Sequence, residues 1–413
     1  MGLTRRVEVA AAALLVLGCV GLAQAQPASA PAADAAAQAA TQTAGAGPPG
    51  NEQYGKLLEA QKRYQQMADS GSALPRISGG ETMSPGSSYD CARLDALRQR
   101  LAAEGFEGAD DAAPAAAQPP AAAPAAGQCR YEGALVDAVR SFQASRRLKV
   151  DGEVGARTLE RLHESPQDLL KTIDQALQRW REKAGELTGS YVLVNIPAFE
   201  LAVYEGQREV MRMPVVVGQP DWPTPQMSES LEYLVLNPEW RIPDTIADAE
   251  LKPKRKKDPG YFKREGIEVT EDGKLRQKPG PRNPLGRIKF MMPNDEDIYL
   301  HDTPAKRHFE SSWRALSHGC IRVAQPLELA EYVMKGDPQW TRERLQSAID
   351  SGATEEVKLP RPMPVHLVYI PAQVDAQGRL EVLPDVYGQF GDREAAPPAG
   401  QASDEDGVMP AYP

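Results

Sequence analysis

The spacing of apolar side chains divides the chain into a helical first part and a strand-rich second part. Between residues 53 and 70, Tyr54, Leu57, Leu58, Tyr64 and Met67 recur near the 3.6-residue period of a helix. Residues 91–101 place Leu94, Leu97 and Leu101 on one helical stripe, and residues 131–146 do the same with Leu135, Val136, Val139 and Phe142. Asp151-Gly152 marks a turn, residues 158–162 a short helix, and residues 168–186 a long polar helix read as a connector. From Tyr191 the period shortens to two. Residues 191–218 alternate and are rich in Val, with Glu205-Gly206 at a hairpin turn. Strands are predicted over 232–236, 287–292 and 298–301. Helices follow over 326–335, with Gly336 as C-terminal cap, and over 341–350; residues 364–370 and 380–383 read as a closing hairpin. The pattern predicts an α+β fold: a small α-helical domain, then a mostly-β domain with flanking helices.

Composition sets outer limits. A chain of 413 residues holds two or three domains. With 34 Gly and 36 Pro, part of it must be linker rather than core. Residues 26–50 and 391–413 carry too few large apolar groups to offset ordering entropy, so they read as a disordered linker and tail. Residues 111–127 hold ten Ala and four Pro and read as a flexible insertion between helices. The net charge of −10 argues against a nucleic-acid partner. Four cysteines, Cys19, Cys91, Cys129 and Cys320, exclude a disulfide-framework scaffold and a CxxC zinc module. Arg5 and Arg6, the apolar run 9–22 and Ala23-Gln24-Ala25 read as an export signal over residues 1–25, with lipidation at Cys19 as the rival reading. No later segment is long enough to span a bilayer. The remaining boundaries are a helical scaffold at 51–86, a helical domain at 87–166, the connector at 167–190 and the β-rich domain at 191–390.

The sharpest chemical signal is Ile298-Tyr-Leu-His-Asp-Thr-Pro304 followed by Ser317-His-Gly-Cys-Ile-Arg-Val323. A lone cysteine is most often a small buried hydrophobe. Here Cys320 adjoins Gly319 at a sharp turn, where backbone N–H groups can converge on an oxyanion. His301, 19 positions earlier at a strand end, can be brought against the thiol and stabilise its thiolate. His318, two residues from Cys320, is the alternative base. His308 reads as a solvated residue of the polar link, and His163 and His366 receive no role. No carboxylates accompany the histidines at ligand spacing, so no metal site is expected. A papain-like protease would place its Cys before its His, opposite to the order here.

At these residues the sequence resembles the L,D-transpeptidases of bacterial cell walls, most closely the large periplasmic subfamily whose motif ends in Ile-Arg. The likeness extends to Val194-Asn-Ile-Pro197, Val216-Val-Gly218, Asn237-Pro-Glu-Trp-Arg-Ile-Pro243 and Asn283-Pro-Leu-Gly-Arg-Ile-Lys-Phe290, covering about 191–388. The resemblance implies Cys320 as nucleophile and His301 as general base. It implies the Asp302 carbonyl as holder of the imidazole and the N–H groups of His318, Gly319 and Cys320 as oxyanion hole. Ser317 and Arg322 would meet the substrate, with a structural ion pair as the other reading of Arg322. The implied reaction joins a donor tetrapeptide stem to the diaminopimelate of a neighbour in a 3→3 cross-link, without cofactor or metal, by an exported monomer in the periplasm. Hydrolysis or attachment of a protein amine by the same nucleophile, and a non-catalytic wall-binding role, are the competing readings.

Leu94–Leu101, Val139-Arg-Ser-Phe-Gln143 and Asp151-Gly-Glu-Val-Gly155 resemble the small three-helix peptidoglycan-binding module, either a binder or a spacer. Cys91 and Cys129, at two helix starts flanking the insertion, are disulfide candidates. Residues 251–266 hold seven Lys or Arg and two acids and read as a loop. It is either a solvated connector or part of a lid, residues 245–282, that attracts stem-peptide carboxylates.

Overall fold

The computed structural model describes residues 51–70, 74–107 and 125–391. The export signal, Cys19, the 26–50 linker, most of the 111–127 insertion and residues 392–413 of the tail lie outside the described residues. Among the described residues no helix is long and apolar enough to cross a membrane. The fold is α+β, with helices preceding a large sheet.

Helix α1, Glu52–Asp69, starts where the Asn51 side chain accepts the Tyr54 N–H at 3.1 Å. The helical module follows. Strand β1, Ser88–Asp90, pairs with β2, Gln128–Arg130, and helices α2, Cys91–Ala103, α3, Ala134–Ser145, and α4, Ala156–Leu162, pack around Leu97, Phe106, Tyr131 and Phe142. A disulfide joins Cys91 to Cys129. Beneath this core lies a buried ionic cluster. Glu104 receives Arg100 at 2.6 Å and Arg146 at 2.5 Å, and the Tyr64 hydroxyl of α1 at 3.0 Å. Arg146 also donates to the Leu380 carbonyl at 2.8 Å, which ties the module to the strand-rich part.

Helix α5, Pro166–Lys183, corrects the reading of 168–186 as a polar connector. Leu169, Ile173, Ala176, Leu177 and Trp180 form one buried stripe against α1 and the sheet residues Tyr191, Leu193, Ala202 and Tyr204. Its other face is polar enough to hide that stripe in a composition count.

The main sheet contains β3, Ser190–Asn195, β4, Glu200–Glu205, β5, Arg208–Gly218, and β6, Met227–Leu236. Residues 240–277 then leave it, and β10, Ile288–Met291, β11, Leu300–His301, β12, Ala315–Ser317, β13, Ile321–Val323, and β14, Glu355–Val368, return to it. Its order is β12-β5-β13-β11-β10-β6-β14-β3-β4, and β4 pairs again with β5, so the sheet closes on itself. One face carries Val192, Leu201, Val215, Leu234, Phe290, Leu300 and Ile321, packed with Leu329 of α8, Pro326–Val333, and Leu345 of α9, Arg342–Ser351. At β3 and β4 the opposite face is covered by α1 and α5. Both faces are thus apolar there, as the continuous run Tyr-Val-Leu-Val reflects.

Two expectations fail in detail. The closing hairpin pairs β15, Ala372–Val374, with β16, Leu380–Val382. Residues 364–370 instead belong largely to β14, which runs parallel to β3 and antiparallel to β6. An apolar alternation reports a strand but not its partner. The basic stretch 251–266 is not a loop. It lies in a small folded unit of β7, Trp240–Ile242, β8, Ile267–Val269, and β9, Leu275–Gln277, in the order β7-β9-β8. The helical pieces Asp244–Ile246, Ala247–Leu251 (a π turn) and Lys252–Lys257, together α6, and α7, Tyr261–Glu265, complete it. Trp240, Ile246, Leu251, Phe262 and Leu275 form its own core. Apolar residues spaced widely among cations conceal a core from composition.

Candidate active site

Strand β11 lies between β10, where Lys289 pairs with His301, and β13, where His301 pairs with Arg322 in parallel register. Because side chains alternate, Phe290, Leu300 and Ile321 enter the apolar core while Lys289, His301 and Arg322 share the opposite face. Tyr299 and Cys320 lie two residues before His301 and Arg322, and the Ile321 N–H donates to the Tyr299 carbonyl at 3.0 Å. The same alternation carries both toward that face. The register thus gathers a thiol, an imidazole, a phenol and two cations.

His301 is fully buried, with Nδ1 2.5 Å from the Asp302 carbonyl. Donation from Nδ1 fixes the tautomer that leaves Nε2 basic. The Tyr299 ring stands edge-on at 5.7 Å. The Asp302 carboxylate serves the chain elsewhere, accepting the Arg287 and Thr303 N–H groups at 2.8 and 2.7 Å and Lys306 Nζ at 2.7 Å. Gly286, with φ +63°, makes room for it: a Cβ there would lie 2.3 Å from Asp302 Oδ2. Asp302 therefore anchors the segment that aims His301.

Cys320 is 6% exposed, and its Sγ donates to the Asp297 carbonyl at 3.7 Å. Burial raises the thiol's pKa. Hydrogen bonds from the Tyr299 backbone and side chain, and the charges of Lys289 and Arg322, only partly counter this. The resting group is a thiol, so its chemistry needs a base. Asp297 adopts φ +54°, held by Asn294, whose Oδ1 accepts the Glu296 and Ile298 N–H groups at 3.0 and 3.1 Å.

The turn before the thiol is tightly built. Gly319 takes φ +108°, a conformation open to glycine, and its carbonyl accepts Thr224 Oγ1 at 2.7 Å. A Cβ on Gly319 would lie 3.6 Å from the Pro223 carbonyl, so segment 218–224 sits directly on the turn. Sequence reasoning placed Ser317 at the substrate. Its buried hydroxyl instead donates to the Cys320 carbonyl at 2.6 Å and accepts the Gly319 N–H at 3.3 Å. That amide, expected in the oxyanion hole, is engaged within the turn. His318 points its Nε2 at Glu250 Oε1 of α6, 3.1 Å away, with the Trp222 ring edge-on at 5.1 Å.

Arg322 is buried, and burial lowers its pKa to about 10. Its Nη1 is 3.3 Å from His308 Nδ1. His308, expected at the solvated surface, is only 8% exposed, because the short helical turn Lys306–Glu310 tucks it against Arg322. Arg322 also lines a cleft of about 340 Å³ with Trp240, Lys254, Tyr261, Arg282 and Thr303, between the 240–277 unit and the sheet. Among the described residues no group of three or more His, Cys, Asp or Glu could hold a metal ion.

Lys289, Tyr299, Thr224 and Glu250 were not singled out from sequence. Tyr299 was within reach, since residues two apart on a strand share a face. Lys289 required the strand register, and Thr224 and Glu250 required tertiary contacts.

Residues 189–340 match the family described as L,D-transpeptidase catalytic domain, and residues 93–162 match the "Putative peptidoglycan binding domain". A curated relative, the "Putative L,D-transpeptidase" of Haemophilus influenzae, is 32% identical over 217 residues, covering 48% of this chain and 44% of that protein. The chain thus spans less than half of that relative's length. Among solved structures, an L,D-transpeptidase from Mycobacterium smegmatis aligns at 14% identity and TM-score 0.24, over 43% of this chain and 58% of that one. The L,D-transpeptidase fragment 123–326 from Xylanimonas cellulosilytica aligns at 15% and 0.21, over 70% and 99%. Similarities this low add nothing to the two domain matches and the curated relative.

Proposed function

We propose that this chain, with an L,D-transpeptidase catalytic domain at 189–340 and a peptidoglycan-binding domain match at 93–162, forms 3→3 cross-links between peptidoglycan stem peptides through a Cys320 thioester. One observation carries the reading. Adjacent strands turn Cys320 and His301 to one face, and the Asp302 carbonyl sets the imidazole tautomer. His301 Nε2 takes the thiol proton as Sγ attacks the carbonyl preceding the donor's terminal D-residue. The proton passes to the leaving amine, and a thioester remains. The Cys320 N–H stabilises the oxyanion. The diaminopimelate amine of a second stem then attacks the thioester. Lys254, Arg282 and Arg322 give the cleft a positive field suited to stem-peptide carboxylates. The 240–277 unit serves as its lid. Neither cofactor nor metal enters these steps. A wall substrate implies an extracytoplasmic protein, exported by residues 1–25 to the periplasm and acting as a monomer.

The test is incubation with purified disaccharide-tetrapeptides and mass spectrometry of the products. Cross-linked dimers from wild type and none from Cys320→Ala are expected. Dimers from both proteins, or only hydrolysed monomers from wild type, contradict the reading.

A further inference from the structure

His318 is a buried imidazole that the mechanism above leaves unused. Its side chain is 9% exposed. Nε2 lies 3.1 Å from Glu250 Oε1, and Nδ1 is buried with no hydrogen-bond partner among the described residues. Such an atom costs free energy unless a water or a ligand group satisfies it. Glu250 belongs to the π turn of α6, a feature found often at functional sites. Its other carboxylate oxygen is 3.7 Å from Lys254 Nζ. The carboxylate accepts the Nε2 proton, which makes Nδ1 the basic nitrogen. It also stabilises the imidazolium that forms if Nδ1 takes up a proton. The pair mirrors His301 and the Asp302 carbonyl, with the opposite ring nitrogen left basic and a full negative charge behind it.

We infer that Glu250 positions His318 as a second base, which accepts a proton from the incoming acceptor ammonium while His301 serves the thiol and the leaving amine. The inference rests on the transpeptidase reading. Stem-peptide amines reach the site as –NH3⁺ and cannot attack until one proton leaves. His318 Nδ1 takes it, the neutral amine adds to the thioester carbonyl, and the C–S bond breaks. The second amine proton passes through His301 to Sγ, restoring the thiol. The imidazolium of His318 returns its proton to solvent, so atoms and charge balance. Glu250, on the 240–277 unit, thereby makes acceptor activation depend on that unit's contact with the catalytic turn.

The full chain is loaded with disaccharide-tetrapeptide, and thioester formation and aminolysis are followed separately. Glu250→Gln still accepts a hydrogen bond but carries no charge. It is expected to form the thioester at the wild-type rate and to slow aminolysis by the stem-peptide amine about tenfold or more. With hydroxylamine, an amine already neutral near pH 7, the deficit should vanish. Adding Glu250→Gln to His318→Gln should cost nothing further, because the carboxylate acts through the imidazole. Equal loss with both amines, or no loss with the stem amine, overturns the inference while leaving the thioester reading standing. Absence of any thioester in wild type instead overturns the proposed function, and this inference with it.

Discussion

Two buried polar clusters in this protein use charge for opposite ends. In the helical module, Glu104 is enclosed by Arg100, Arg146 and the Tyr64 hydroxyl, and Glu164, 3.7 Å from Arg146, supplies a second carboxylate, so two cations face two anions. On the sheet, Cys320 and His301 share a face with Lys289 and Arg322, and the strand register sets no carboxylate between them. The first cluster lowers its own energy by pairing and so joins three helices to the β15–β16 hairpin. The second sets Lys289 and Arg322 near a thiol whose pKa burial has raised, where their charges favour a thiolate. Buried charges set against opposite charges hold a fold, and buried cations set beside a thiol favour its ionised form.

Substitutions can separate the two roles. The largest effect belongs to Cys320→Ala, expected to abolish both dimer formation and thiol acylation by a carbapenem while the thermal unfolding curve is retained. Next is His301→Gln, expected to slow acylation about 100- to 10,000-fold and far more than His318→Gln does. If His318→Gln proves the more damaging with folding unaffected, the base is misassigned. In the other cluster, Glu104→Ala removes the carboxylate that Arg100 and Arg146 share and leaves Arg146 only Glu164, 3.7 Å away. It should cost about 3–5 kcal/mol in chemical denaturation while leaving acylation per folded molecule unchanged. A destabilisation no larger than that of an exposed substitution would remove the contrast between the clusters.

Smaller effects sharpen the comparison. Lys289 helps pull down a thiol that burial has raised, so Lys289→Met should push the Cys320 pKa further up. At a pH below its pKa, a thiol whose pKa rises by one carries about tenfold less thiolate. Alkylation by iodoacetamide near pH 8 should slow in that variant, and the pH–rate curve should move to higher pH. An unmoved curve would show that the ammonium does not act on sulfur. The smallest effect concerns Lys254→Gln. Of the basic run 254–257, Lys254 lines the cleft. Its loss should weaken muropeptide engagement more than acylation by a small β-lactam. The difference should fade at high salt, where the Debye length drops below about 8 Å. Equal salt dependence in both proteins would make the run a solvated surface.

Much of the candidate site's strand pair was legible because its motifs are local. His301 and Cys320 stand in short motifs whose flanking Leu300 and Ile321 declare a buried strand face. The helical core around Leu97, Val139 and Phe142 was legible from its period. What lay hidden depends on contacts between distant segments. Leu169, Ile173 and Trp180 are masked by the charged face of α5, and Ile246, Leu251 and Phe262 by the lysines around them. His308 resembles a surface residue until Arg322 is placed over it. Glu250 is one acid among many until the π turn brings it to His318. Sequence period reports which side of an element is apolar; it does not report what that side meets.

Everything proposed for the site depends on Cys320, activated by His301, carrying the stem peptide as a thioester. The most direct measurement is the intact mass of the full chain mixed with disaccharide-tetrapeptide and quenched in acid, followed by peptide mapping. A transient adduct equal to the donor minus its terminal D-residue is expected, mapped to the peptide containing Cys320 and absent in Cys320→Ala. Release of the D-residue with no adduct on Cys320, or an adduct on another residue, would contradict the thioester mechanism.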